Sequence, residues 1–443
     1  MTVFEPRPVP PLTAPRSSPP LSTASSRLDS GLKVVAVRRG GAPLVQLRLF
    51  VPFAGEEDTH LAKTSLLAAS MLSGTERHSS AGLAAALQTL GADLTVNRSP
   101  DRLLISGETL AGGLPQMLEL LAEALTTASY PHTEVIGERS RALENVRIAR
   151  SQPATAAKEA LLHRMFGPHP YGREIPDPDL LQSVTPAQVR ALHHAQVLPC
   201  SSTLALVGDI TLDSALDDVA KAMSCWDTPG SAPPIPPVPP LKPGPVALVD
   251  RPGSVQSSIR MGGVALGRSQ PDYAALQLAN TIFAGYFSSR LIENIREDKG
   301  YTYSPHSMVE HARAGSNIQL HVDVASEVTA PALLEIGYEL GRIATQPVGD
   351  QELDSARQYL LGSLALASAT QSGLADLIVQ LITSGLDIDW LAEHPGRLAA
   401  VTVEQVHEQA ARFLAPTRLV TVILGDATHI EPSLRTLTDV ERQ

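Results

Sequence analysis

Residues 283–304 read FAGYFSSRLIENIREDKGYTYS. Phe283, Phe287, Leu291 and Ile295 recur every fourth residue, which predicts one helix with these four on a single apolar face. Arg290, Glu293, Arg296, Glu297 and Lys299 fall on its other faces. Gly300 is a natural stop, because glycine accepts the left-handed turn that ends a helix, and Lys299 suits the negative end of the helix dipole. Tyr301 to Ser304 then reads as the start of a strand with both tyrosines on one side. This order brings Arg296 and Tyr303 close together. Read by itself, the stretch is an amphipathic surface helix in which Arg296 pairs with Glu293, for about 0.2–0.5 kcal/mol.

The run from Gly285 to Ser304 resembles the C-terminal-half signature of the pitrilysin/insulinase (mitochondrial processing peptidase-like) metallopeptidases. A weaker similarity extends from about Gly31 to Thr428. The resemblance implies that Arg296 and Tyr303, which match the family's Arg and Tyr, reach into an active site and hold substrate. Tyr301 stands where the family more often has an aliphatic residue, so no role passes to it.

Catalytic members of the family carry H-x-x-E-H on a helix of the first half. Two histidines one turn apart bind zinc there, and the glutamate activates the metal-bound water. The corresponding helix spans His60 to Leu72, and the motif positions are Leu66, Ala69 and Ser70. The family's third ligand, a glutamate further on, falls on Asn145; a slip of one residue would offer Glu144. One carboxylate cannot hold a catalytic zinc. None of the thirteen histidines completes H-x-x-E-H or H-E-x-x-H, so the sequence predicts no metal in this chain.

An internal repeat is independent of that resemblance. Val184-Thr185-Pro186-Ala187-Gln188-Val189 resembles Val401-Thr402-Val403-Glu404-Gln405-Val406, and each is followed at the same distance by a strand closed by Gly-Asp, at Gly208-Asp209 and Gly425-Asp426. The same offset sets Leu61–Thr64 against Leu278–Thr281. Alternation at Val45, Leu47, Leu49 and Val51, and again at Ile318, Leu320, Val322 and Val324, predicts half-buried strands whose polar residues face water. Gly167-Pro168-His169-Pro170-Tyr171-Gly172 reads as a rigid turn.

The predicted fold is α+β, in two homologous halves, each a mainly antiparallel sheet with helices packed on one face. The predicted organisation is a disordered Pro/Ser-rich arm over 1–27, a peptidase-like domain without a zinc motif over 28–227, a Pro-rich linker over 228–245, a second peptidase-like domain with the Arg/Tyr motif over 246–431, and a tail over 432–443. Proline at the linker's density cannot form helix or central strand.

A net charge of −11 argues against a nucleic-acid surface, and no apolar run approaches the roughly 20 residues of a membrane span. The arm has no apolar signal core, and the two cysteines, Cys200 and Cys225, read as separate thiols; a cytoplasmic location is expected. The resemblance implies a subunit without zinc, inactive alone, that supplies Arg296 and Tyr303 to a zinc-bearing catalytic partner of the same family acting on peptides. A structural or assembly subunit and a stand-alone zinc peptidase with atypical ligands are the alternatives. Pairing of two identical chains stays open.

Overall fold

In the computed structural model, which describes residues 21–443, two six-stranded sheets follow one another along the chain. The first comprises β1 (Ser22–Arg27), β2 (Lys33–Arg38), β3 (Leu44–Pro52), β4 (Asp93–Ser99), β5 (Arg102–Leu110) and β6 (Thr203–Gly208), in the spatial order β1-β2-β6-β3-β5-β4. The second comprises β7 (Val246–Asp250), β8 (Gln256–Ala265), β9 (His306–Ala312), β10 (Gly315–Ala325), β11 (Val420–Gly425) and β12 (Val440–Arg442), in the order β12-β7-β11-β8-β10-β9. Apart from β1 and β12, the five strands of each sheet share one plan: β2 runs parallel to β6 as β7 does to β11, and the remaining pairs are antiparallel.

The repeat seen in the sequence has matching local structure. Thr185 caps the helix Pro186–Gln196 and Thr402 caps Val403–Phe413, each through a reciprocal bond with the glutamine three residues on. Each helix leads to the strand ending in Gly-Asp. Each sheet packs its own helices on one face, giving two separate apolar cores, around Leu47, Leu66 and Leu206 in the first half and around Ile259, Phe283 and Ile423 in the second.

The second face of each sheet is covered by the other half. Helix Pro153–Phe166 sets Leu161, Leu162, Met165 and Phe166 against Ala247, Val420 and Val422. Helix Gln371–Thr383 sets Leu374, Ala375 and Ile378 against Val37, Ala205 and Val207. The two exchanged helices are equivalent under the repeat. A Cβ at Gly262 would run into the Met165 thioether of the exchanged helix, which would have to shift.

This exchange corrects the expectation of half-buried strands. β3 is buried along nearly its whole length, Gln46 and Arg48 included. Arg48 pairs with Asp376 at 2.8 Å and reaches Ser372 at 3.1 Å, both on the helix from the other half. Its counterpart by strand register is Arg260, which lies opposite Val422 as Arg48 lies opposite Ala205. Arg260 is also buried and bonds Asp323 at 2.9 Å. The polar side of β10, expected in water, is covered at Asn317 and Gln319. Burial, together with the Arg260 charge, holds the His321 imidazole down at about 3.

Asp101, almost wholly buried, ties the halves at a third place. Its carboxylate accepts the Tyr171 hydroxyl at 2.8 Å and the Arg313 amide at 2.8 Å, and the Ala314 amide donates to Tyr171 at 3.0 Å. The GPHPYG turn is therefore a hub. His169 accepts the Tyr171 amide at 3.1 Å and donates to the Pro236 carbonyl at 3.0 Å, in the proline-rich run between the halves. That run has no helix or strand, and Ile235, Val238 and Leu241 pack beside the exchanged helix.

Two segment expectations change. Residues 1–20 of the expected arm lie outside the described residues, but Ser22–Arg27 forms edge strand β1, paired antiparallel with β2, because extended Ser/Thr/Ala residues complete the hydrogen bonds of an otherwise bare edge. The expected tail likewise carries structure: helix Ala427–Leu434 runs into it, and Val440–Arg442 joins β7 as the equivalent edge of the second sheet. Among the described residues, no single helix is long and apolar enough to cross a membrane.

Candidate functional site

The signature stretch is not one helix. Tyr273–Asn280 continues into a wide turn over Thr281–Gly285, where Ala284 leaves helical geometry at φ −158°, and Tyr286 is extended. A second helical segment starts at Arg290–Ile292 and widens to π-helical turns over Glu293–Asp298. The first piece is anchored by a reciprocal pair, Asn280 to the Ser307 carbonyl at 3.2 Å and the Ser307 hydroxyl to Asn280 at 2.5 Å. The break moves Phe287 off the apolar face. Phe283, Leu291 and Ile295 are buried as expected, while Phe287 is 60% exposed.

The second segment is held by charge. Arg290, expected on a solvated face, is buried and grips Glu352 with two bonds at 2.5 and 2.7 Å. Burial alone raises the Glu352 carboxyl, but the Arg290 hydrogen bonds and charge together hold it below its ordinary range. Asn294 donates to Glu335 and Glu339 at 3.0 Å each, and Lys299 lies 3.3 Å from Glu335. Gly300 ends the segment at φ +64°, with the Tyr301 amide reaching back to the Ile295 carbonyl at 2.8 Å. The next strand begins only at His306. Residues 301–305 form a loop, pinned by Thr302 to the Asp323 carbonyl at 2.7 Å and by Tyr301 packing on the core. Tyr301 and Tyr303 therefore part company: Tyr303 is 82% exposed.

The outcome is a sandwich. The Arg296 guanidinium carbon lies 4.7 Å from the Phe287 ring centre and 5.3 Å from that of Tyr303. The acidic neighbour is Glu297, 3.3 Å from Nε, rather than Glu293. Phe287 is the member that sequence reasoning missed. Four-residue spacing assigned it to the core, and the signal against that was the Ala284-Gly285 pair just upstream, where a helix breaks readily.

The zinc-motif positions sit on an unbroken helix, His60–Ser70. Leu66 and Ser70 are fully buried, with the Ser70 hydroxyl bonded to the Leu66 carbonyl at 2.5 Å. Ala69 is exposed, as is Asn145 on helix His132–Ser151. Glu144 is engaged by Arg147 at 2.6 Å. An alkyl chain, a methyl, a hydroxyl committed to the backbone and an amide do not make a zinc donor set, so the residues present do not fit the metal. Among the described residues, no group of three His, Cys, Asp or Glu side chains is placed to hold a metal ion.

Family models meet this geometry over most of the chain. Residues 56–179 match the insulinase model of peptidase family M16, and residues 183–360 match the model described as the peptidase M16 inactive domain. The chain belongs to peptidase family M16. Its similar proteins include an uncharacterized zinc protease of Mycobacterium tuberculosis, 23% identical over 93% of this chain and 96% of that protein. Another, from Streptomyces coelicolor, is 22% identical over 80% of this chain and 78% of that protein. Among solved structures, a peptidase M16 inactive domain from Pseudomonas fluorescens superposes with a TM-score of 0.83 at 22% identity, covering 91% of this chain and 98% of that one. A protease from Helicobacter pylori gives 0.85 at 18%, covering 91% and 99%. These structures share the M16 fold of paired α+β halves. Helix His60–Ser70 packs into the core of the first half through Leu66, Leu67 and Ser70.

Proposed function

We propose that this chain is the non-catalytic, substrate-binding subunit of a heterodimeric M16 peptidase, supplying Arg296 and Tyr303 to the active site of a zinc-bearing partner. The observation that carries the reading is an asymmetry. The first half lacks every metal donor of the family motif, while the second half brings a half-buried Arg296 beside an exposed Tyr303. The Phe287 and Tyr303 rings hold the guanidinium in place, and guanidinium N–H donors suit the carbonyl oxygens of an extended peptide. As negative charge develops on the carbonyl under attack, donors already in place stabilise it with no reorganisation cost. Tyr303 contributes the neutral donor and Arg296 the charged one. A cytoplasmic setting, with Cys200 and Cys225 both free, belongs to the same proposal.

The test compares three preparations on an unstructured peptide: this chain, a zinc-bearing M16 chain that co-purifies with it, and the mixture, with metal content measured for each. The reading expects no stoichiometric zinc in this chain and hydrolysis that needs the mixture. Stoichiometric zinc and turnover in this chain alone would return it to the stand-alone peptidases. A zinc-bearing chain equally active without it would assign it a structural role.

A further inference from the structure

A cleft of about 620 Å3 opens between the two halves, away from the Arg296–Tyr303 surface. Its charged lining groups are Arg268 and Arg313, joined by hydroxyls including Ser201, Thr203, Ser316 and Ser384. Among the described residues it has no carboxylate in its wall, although the chain carries 46 acidic residues against 35 basic ones. Such a lining is a local reversal of the chain's charge, and a concave one focuses the field.

Among the described residues neither guanidinium forms an ion pair, although Arg268 also borders a second cavity lined by Asp101, Glu174 and Glu310. Arg268 donates from Nη2 to the Gln380 amide oxygen at 2.7 Å, and its guanidinium lies 5.7 Å from the Trp390 ring centre. Its Nε is buried and has no hydrogen-bond partner. Arg313 has its amide on Asp101 and donates from Nη1 to the Asp101 carbonyl at 3.2 Å, so the inter-half tie fixes this residue by its main chain. The uncompensated Arg268 charge is felt nearby. It adds to burial in holding His311 down at about 3 and His394 at about 4. Ser201, also in the lining, sits at φ +66°, a conformation that costs a non-glycine residue free energy and tends to occur where backbone is shaped for a ligand.

We propose that this inter-half cleft is a binding site for a small oxyanion with several acceptor oxygens, a phosphate ester or a polycarboxylate, held by Arg268 and Arg313 and by the surrounding hydroxyls. The inference is independent of the peptide-gripping role. An anion seated there touches both halves and the linker, and so fixes their relative position.

The test is calorimetric titration of the full-length chain with inorganic phosphate and, separately, with citrate, at constant low ionic strength. Tryptophan emission is followed in parallel, since Trp390 stacks beside Arg268. Saturable binding of at least one anion is expected; phosphate alone points to a phosphate ester and citrate alone to a polycarboxylate. R268Q and R313Q should each weaken binding about tenfold or more, as loss of a charge-assisted hydrogen bond does. R435Q, which removes an exposed arginine paired with Glu431, should leave it unchanged. Unliganded melting confirms that each variant is folded, and R313Q decides the matter if R268Q is not. The proposal is overturned if neither anion binds saturably, or if binding is the same in the arginine variants as in the parent chain.

Discussion

The two halves of this chain share a scaffold and differ at one helix. In both, an arginine on the strand before that helix is buried under the other half's contribution, a Thr–Gln box caps a late helix, and a Gly-Asp pair closes a central strand. In the first half the helix His60–Ser70 is regular and turns Leu66 and Ser70 into the core. In the second half the equivalent stretch breaks at Ala284 and restarts at Arg290, which puts Phe287, Arg296 and Tyr303 on the surface. The lesson is that one scaffold, used twice in this chain, holds a closed apolar helix in one half and an open, charged one in the other. The chemistry follows from the helix rather than from the sheets.

The comparison breaks most visibly if the halves are not one cooperative unit. Asp101→Ala should cost about 3–5 kcal/mol, because it strands the Tyr171 hydroxyl and the Arg313 amide. Urea unfolding should then separate into two transitions where the parent chain gives one. A single unshifted transition would show that the exchanged helices alone couple the halves.

Acid tests the halves against each other. Each contains one nearly inaccessible neutral histidine, His193 in the first and His394 in the second, both held down to about 4 chiefly by burial. The folded value lies below the unfolded one of 6.5, so the unfolded chain binds more protons as pH falls. Stability is full above about pH 6.5 and is lost between there and about 4. Each histidine should remove about 2 kcal/mol by pH 5. His394→Phe, which keeps a ring on Trp390, should flatten the pH dependence measured by denaturant melts; an unchanged slope would contradict the assignment.

The paired arginines sharpen the contrast further. Asp323→Ala should destabilise by about 1–2 kcal/mol and Asp376→Ala by less, because Arg48 keeps the Ser372 and Gln46 side chains as partners while Arg260 keeps only the Ile259 and Val322 carbonyls and its Nη2 loses its acceptor. Thermal melts of the two variants provide the comparison. Phe287→Ala should have the smallest effect, about 0.5–1 kcal/mol, from loss of one face of the guanidinium sandwich. It should appear in peptide affinity and hardly at all in melting.

Much of this was legible in the sequence. The repeat, the strands on either side of it, the capping residues and the missing zinc donors are local signals, and the closeness of Arg296 and Tyr303 follows from helix, glycine and loop in succession. The rest depends on parts of the chain far apart. Alternation along β3 suggested that Gln46 and Arg48 face water, since nothing local announces a covering helix at Gln371–Thr383. Arg260 finds Asp323 on the neighbouring strand β10, a pairing set by strand register that spacing along β8 does not reveal. Regular spacing placed Phe287 in the core because periodicity cannot register a break at Ala284. Asp101 sits in a plain Pro-Asp-Arg turn, and its part in joining the halves appears only once Tyr171 and Arg313 are brought to it.

The central claim is that this chain grips a peptide that another chain cuts. Its most direct test is kcat/KM for peptide hydrolysis by the complex with its zinc-bearing partner, comparing the parent chain with Arg296→Ala at equal complex concentration. The account predicts a fall of about 100-fold or more, with this chain's fold and its association with the partner unchanged. Equal turnover by the two complexes would contradict it.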